Sequence, residues 1–282
     1  MRTWSHPAAG CDRLLWIDVS VGVAGDMLLA ALLDLSFAAA PATATSTTVF
    51  DEVCAAIEAV VPAEVYLRRT EVTRAGLRAC RIEVVSRLED HPHRAWADIR
   101  ELLDKTLDGP VLERTSAVFT QLARAEGRVH GIPVDDVHFH EVGAWDSIAD
   151  IVGVSAALHA LGVATIVASP VALGSGHVRT AHGRLPVPVP AVLELARGHD
   201  VTAGGDGELA TPTGMAILAA LAAGTGSLPA MRIDGIGIGA GTRDVPGHAN
   251  VVRVVSGTRA LAGPAPHHDH PHGERQEMSD EG

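Results

Sequence analysis

The sequence predicts an α/β fold, with α+β as the alternative, built as a mixed sheet with flanking helices. Three observations lead there. Strand-like and helix-like segments alternate along the chain. Apolar residues make up 47% of the 282 residues and charged residues only 20%, enough for a sizeable core. Gly and Pro punctuate the second half, where short elements need turns between them.

The elements follow in order. Leu14 to Val19 reads as a short strand, and Gly22-Val23-Ala24-Gly25-Asp26 as a turn into an apolar helix over Met27 to Leu35. An Ala/Thr/Ser-rich connection from Ala38 to Thr48 precedes a helix over Asp51 to Val60. Glu64 to Thr73 and Leu77 to Ser86 alternate as strands do and are joined, hairpin-like, through Arg74-Ala75-Gly76. Helices are predicted over Ala95 to Thr106 and Val111 to His130, with Gly109-Pro110 as the break. A further helix starts near Asp146; Gly162 reads as its C-cap and Val163 to Ala168 as a buried strand. Helices near Val189 to Ala196 and Thr213 to Ala223, then strands near Met231 to Gly237 and Ala249 to Val255, complete a domain spanning 1–258. From 259 to 282 the composition shifts to Pro, His, Asp, Glu and Gly, which predicts a disordered His-rich C-terminal tail.

Charge and cysteine usage narrow the classes. Twenty-two basic against 34 acidic residues give a net charge of −12, which argues against a nucleic-acid surface and suits attraction of metal cations. Cys11, Cys54 and Cys80 form no CxxC pair, so neither a disulfide framework nor a thiolate zinc site is indicated, and a cytoplasmic home is expected. Met1 to Arg13 is too polar for a secretory signal. Ile151 to Gly176 carries no Asp, Glu, Lys or Arg, but Gly162 and Pro170 divide it into helix and strand, so no membrane span is expected.

The segment His138 to Gly153 concentrates the chemistry. It holds two imidazoles and three carboxylates among apolar or small residues. If its start is extended, His138 and His140 project to one side, because side chains alternate along a strand. Asp146 and Asp150 are four apart on one helical face, where like charges repel unless a cation or donor lies between them. The bland reading makes Asp146 or Ser147 an N-cap and the histidines packing residues; the whole cluster favours a metal site. Gly22 to Asp26 could seat a phosphate on backbone N–H groups, although it lacks the spacing of a nucleotide loop. Gly237 to Asp244 resembles a nucleotide fingerprint superficially, but no helix pattern follows it, so a glycine-rich loop with Arg243 as an anion contact is expected. Gly174 to Arg184 mixes flexible backbone with His177, Arg179, His182 and Arg184, as a substrate loop would. Pro186 to Pro190 is stiff and extended. Thr211-Pro212-Thr213-Gly214 reads first as a helix-start turn capped by Thr, with Glu208 and the hydroxyls at a site mouth as the lesser reading. His91, His93 and the tail residues His267, His268, His270 and His272 suit nickel, copper or zinc, the tail for buffering or delivery.

Taken in order, eight segments resemble the LarC family of nickel insertion proteins. They are Asp18 to Leu33, His91-Pro-His-Arg with Asp98-Ile99, Val129-His130-Gly131, His138 to Gly153, Leu173-Gly-Ser-Gly, Ala181 to Pro188, Glu208 to Gly214, and Gly239 to Asp244. The resemblance implies insertion of Ni(II) into pyridinium-3,5-bisthiocarboxylic acid mononucleotide, a cyclometallase of the lyase class that yields the nickel pincer cofactor. It also implies CTP consumption assisted by Mg(II) or Mn(II). Family members made as one long chain continue into a C-terminal half holding the CTP site, so this chain resembles the N-terminal half. A companion LarC C-terminal half is therefore an expected partner, and a homo-oligomer stays open. The family's His-rich insertion is reduced here to His91 and His93.

Under that resemblance the chemistry assigns His138, His140 and Glu141 as nickel ligands. Asp146 and Asp150 are either a supporting outer layer or ligands to an accompanying cation. His182 is the candidate base for the ring proton, and Arg184 with Gly22, Gly25 and Asp26 the candidate grip on the nucleotide. Two other classes remain: a non-catalytic nickel delivery or storage protein, and a metal-dependent hydrolase of nucleotides or amides.

Overall fold

The computed structural model describes residues 13–38, 45–88, 94–139, 142–180, 183–244 and 249–259. β1 (Arg13–Asp18) leads through a turn into α1 (Gly25–Ala38). Leu28 to Leu33 are all at most 1% exposed, the burial required of a helix that is apolar on every side. α2 (Thr45–Val60) starts earlier than the expected Asp51, because the Thr/Ser run is taken into the helix. β2 (Val65–Arg74) and β3 (Leu77–Ser86) form the expected hairpin. Its two central residues, Ala75 and Gly76, both have positive φ, the geometry that matches strand twist in a tight turn.

β4 (Arg94–Ala95) precedes α3 (Trp96–Thr106) and α4 (Gly109–His130). Gly109-Pro110 opens α4 rather than breaking the chain before Val111, since proline is tolerated in a first helical turn. β5 (His138–Phe139) pairs with β4, and α5 (Trp145–Ala160) follows with Ile148 to Leu158 entirely buried. Gly162, at φ 65°, ends that helix in the left-handed conformation, as expected, and β6 (Val163–Ala168) runs on from it.

Next come β7 (Val171–Ala172), β8 (Gly174–Thr180), β9 (Gly183–Val187) and α6 (Pro190–Leu195). They are followed by β10 (Val201–Thr202), β11 (Gly207–Glu208), α7 (Pro212–Leu221), β12 (Met231–Ala240) and β13 (Val251–Arg259). The segment expected to be a flexible loop from Gly174 is instead the β8–β9 hairpin, with His177 opposite Pro186 and Arg179 opposite Arg184. Backbone pairing orders it despite its weak apolar alternation.

The main sheet has the order β2-β3-β12-β13-β1-β6. It is mixed: β1–β6 and β3–β12 are parallel, the other neighbours antiparallel. α1 lies across β12, β3 and β13, with α2 and α5 packed against it and α4 joining α5 to α6 and α7. The expected loop at Gly237 is the end of β12. A Cβ on Gly237 would stand 2.1 Å from Ala31 O, and one on Gly239 1.9 Å from Met27 O. Those glycines let α1 lie directly on the strand. Asp34 ties the same layers, accepting from both Arg78 guanidinium nitrogens at 2.9 Å and from the Ile238 N–H at 2.9 Å. No helix among the described residues is long and apolar enough to cross a membrane.

Candidate functional site

Two connections are zipped together to make the site. The loop after β1 and the loop before α7 exchange backbone hydrogen bonds: Val23 N–H to Leu209 O at 2.9 Å, and Thr211 N–H to Val23 O at 3.0 Å. This sets the N-terminus of α1 beside that of α7, where Thr211 accepts from the Gly214 N–H as the expected cap. α5 closes the third side. Its Asp150 packs so tightly on Gly25 that an added Cβ would meet Asp150 Oδ2 at 2.7 Å and Thr213 Cγ2 at 3.0 Å.

Three aspartates collect there. Asp26 accepts from the Met27 N–H at 2.8 Å and from the Thr242 hydroxyl at 3.4 Å. Asp146 is exposed in the first turn of α5 and accepts from the Ser147 N–H; the N-cap is Ala144, not Asp146 or Ser147. Asp150 is buried, accepts from the Asp26 N–H, and has one oxygen, Oδ1, with no partner. Burial pushes the Asp150 carboxyl well above the usual carboxylate range, and the charges of Asp26 and Asp146 push it further. Burial also raises Asp26, against the Met27 and Thr242 hydrogen bonds and the Arg81 charge.

Three cavities meet at Glu208. One of about 400 Å³ holds the aspartates. A second, of about 820 Å³, runs past His177 and the Gly204 to Gly207 turn to Arg243 and Asn250. A third, of about 410 Å³, is mostly apolar, with Phe139, Val142, Val178 and Leu185 in its wall and Glu126 and His130 on its polar side. Glu208 lines all three. The cleft thus has an acidic end, a larger cavity in which Arg243 stands among Asp26, Asp206 and Glu208, and an apolar side chamber.

The predicted residues fall as follows. His138 is exposed on β5, while the next residue, Phe139, is buried against Trp96 and Phe119. Arg94 clamps this stretch, donating to Gly143 O at 2.5 Å and lying 3.7 Å from the centre of the Trp145 ring. His140, Glu141 and His182 lie outside the described residues, as do His91, His93 and the tail residues His267, His268, His270 and His272. Phe139 and Val142, the chain neighbours of His140 and Glu141, line the apolar chamber, and so does Thr180, two residues before His182. Arg184 is exposed on β9 opposite Arg179. Gly22 and Val23 already donate to Val19 O and Leu209 O, so their N–H groups are engaged within the fold. At the start of α1, where a phosphate was expected, the Asp150 carboxylate takes the Asp26 N–H. Among the described residues, no group of three His, Cys, Asp or Glu side chains is close enough to hold a metal ion.

Sequence reasoning gave Glu208 too little weight and left Glu126 with His130 unassigned. Glu126 Oε2 stands 3.3 Å from His130 Nε2. The signal was an i, i+4 acid–imidazole spacing at the end of α4.

The nickel insertion protein family model matches residues 15–280. The chain belongs to that family. A relative in Nocardioides sp., named pyridinium-3,5-bisthiocarboxylic acid mononucleotide nickel insertion protein, is 48% identical over 255 residues, covering 89% of this chain and 61% of its own length. Two Geobacter relatives, in G. metallireducens and G. sulfurreducens, carry nickel insertion as a proposed role. They are 47% and 46% identical over 250 residues, covering 87% of this chain and 61% of theirs. This family member therefore spans about three fifths of the length of those relatives. No solved structure matches it.

Proposed function

We propose that this chain is the metal-handling part of a nickel insertase that converts pyridinium-3,5-bisthiocarboxylic acid mononucleotide into the nickel pincer cofactor. It would act in the cytoplasm with a companion C-terminal half that holds CTP with Mg(II) or Mn(II). Family membership supports the nickel. The observation that supports the substrate class is the pair of cavities that join at Glu208, one holding the aspartates and the other offering Arg243 to an anion. The substrate carries a nucleotide phosphate at one end and, at the other, a cationic ring nitrogen together with two anionic thiocarboxylates.

In this reading Arg243, whose guanidinium lies against Gly207, grips the phosphate, a role for which arginine's fork of donors is suited. It takes over from Arg184 and the Gly22 to Asp26 turn. Glu208 and the aspartates face the cationic ring nitrogen and repel the two thiocarboxylates, which turns that edge of the ring toward the chamber beside Phe139 and Val142. His138, His140 and Glu141 are the proposed nickel ligands. Imidazole holds nickel loosely enough to yield it to the sulfurs of the thiocarboxylates. Forming the carbon–nickel bond breaks a ring C–H bond, and the released proton needs a base: His182 is the proposed acceptor. This is lyase-class cyclometallation, with nickel as substrate.

The test is reconstitution of the full chain with Ni(II), substrate, CTP, Mg(II) and a separately made C-terminal half, followed by mass spectrometry of the nickel adduct. Product is expected from the wild-type chain and none without nickel. Tight nickel binding with no product favours a delivery or storage protein. Phosphate or amine release that needs no nickel favours a hydrolase.

A further inference from the structure

Arg243 is exposed in the 820 Å³ cavity, and its guanidinium rests against the turn at Gly207. Gly207 leaves room for it: a Cβ there would stand 3.2 Å from Arg243 Nη1. The short turn that carries the arginine, Gly241-Thr242-Arg243, is fastened at each residue. The Gly241 N–H donates to Asn250 O at 3.1 Å, and Gly241 O accepts from Nη2 of the buried Arg74 at 3.2 Å. The Thr242 hydroxyl donates to Asp26 at 3.4 Å. Arg243 O accepts from the side-chain amide of Asn250, Nδ2, at 3.0 Å. Among the described residues that is the one hydrogen bond Arg243 makes, and no carboxylate or carbonyl takes a bond from its guanidinium.

Asn250 therefore holds the turn twice, by its backbone at the start and by its side chain at the end. The amide is itself fixed by packing: a Cβ on Gly241 would meet Asn250 Nδ2 at 2.6 Å. The two holds are separable, because the Gly241 bond uses only the main chain of residue 250 and survives when the amide is removed. We propose that Asn250 is a positioning residue, which through the Arg243 carbonyl keeps the guanidinium at the Gly207 turn, ready for the substrate phosphate. The inference rests on the phosphate role already proposed for Arg243 and adds the group that makes this arginine a preformed contact. An arginine fixed before binding loses less freedom when it meets an anion than a loose one does, a gain of about 3- to 10-fold in affinity.

The experiment titrates the full chain, without a companion half, against nicotinate mononucleotide, which has a pyridinium ring, ribose and phosphate but no thiocarboxylate. Nicotinate riboside, which lacks the phosphate, is the control. Binding is followed by NMR, on the phosphorus signal of the mononucleotide and the ring protons of both ligands. Asn250→Ala is expected to weaken the mononucleotide about 3- to 10-fold, to leave the riboside unchanged, and to add nothing in an Arg243→Ala background. A general loss of structure would weaken both ligands alike. If Arg243→Ala weakens the mononucleotide and Asn250→Ala does not, the positioning role is overturned and the phosphate role of Arg243 stands. Equal losses for the two ligands, or additive losses in the double variant, overturn the positioning role as well. If the wild-type chain binds no mononucleotide, or Arg243→Ala changes nothing, the phosphate role falls and the positioning role with it. Should far-UV circular dichroism show that Asn250→Ala does not fold, Asn250→Asp, which keeps the size and loses the Nδ2 donor, provides the same comparison.

Discussion

Gly25 and Asp150 touch with no room for a side chain between them: a Cβ on Gly25 would stand 2.8 Å from Asp150 Cβ and 2.7 Å from its Oδ2. This contact fixes where α5 meets the start of α1, and hence where the acidic pole of the cleft lies.

Gly25→Ala is accordingly expected to destabilise the chain by about 1–3 kcal/mol through overpacking. In urea denaturation the double variant Gly25→Ala/Asp150→Ala should lose less than the sum of the singles, because removing the carboxylate vacates the space. Additive losses would show that the two residues do not press on each other.

A sharper loss is expected at Gly239, where a methyl group would collide with Met27 O. Gly239→Ala should cost more than about 2 kcal/mol, since backbone of α1 or β12 must move. Gly226→Ala, with nothing near its Cβ, should stay within about 0.5 kcal/mol of wild type. Thermal melts of the two variants make the comparison.

Asp18 predicts a pH dependence. Its carboxylate accepts from Arg253 Nε at 2.9 Å and from the Ser20 N–H at 3.1 Å. Burial alone would raise its pKa, but the Ser20 and Arg253 hydrogen bonds and the Arg253 charge hold it below the usual carboxylate range. A lowered folded pKa contributes stability above the unfolded pKa and loses it as pH falls through the folded one. Arg253→Ala should therefore cost about 1–2 kcal/mol at pH 7, a modest figure because the arginine is open to solvent. The cost should shrink below about pH 4 as the carboxylate protonates.

Arg243→Ala should raise KM for the mononucleotide about 10–100-fold, the worth of one charge-assisted hydrogen bond, with kcat little changed. A fall in kcat at constant KM would move Arg243 from binding to chemistry.

Nickel affinity measured on a chain ending at Ala262 should match that of the full chain and vanish in His138→Ala/His140→Ala. Loss of binding on removing the tail alone would make the tail the reservoir.

Legibility from sequence followed the range of the forces. α1, the β2–β3 hairpin and the Gly162 stop depend on local apolar pattern and turn chemistry, and they stand where the sequence put them. The β8–β9 hairpin was missed because its strands are polar and glycine-rich, and their order comes from pairing. The Gly237 to Ala240 strand looked like a loop because its glycines serve α1, a partner distant in sequence. The Asp146 and Asp150 spacing was visible, but Asp26 joins them only through the contact between α1 and α5. Glu208 showed its position only when three cavities closed on it.

The placement of β13 has a further consequence, for the newborn chain. This strand lies inside the sheet, between β12 and β1, so β1 lacks one of its two neighbours until residues 251–259 have left the ribosome. Until then the oily α1 has no completed sheet to rest on. Pairings between residues far apart in sequence form slowly, so the partly made molecule should be a strong client of chaperones. Its commitment to the native topology then becomes a late event, triggered by a single nine-residue strand.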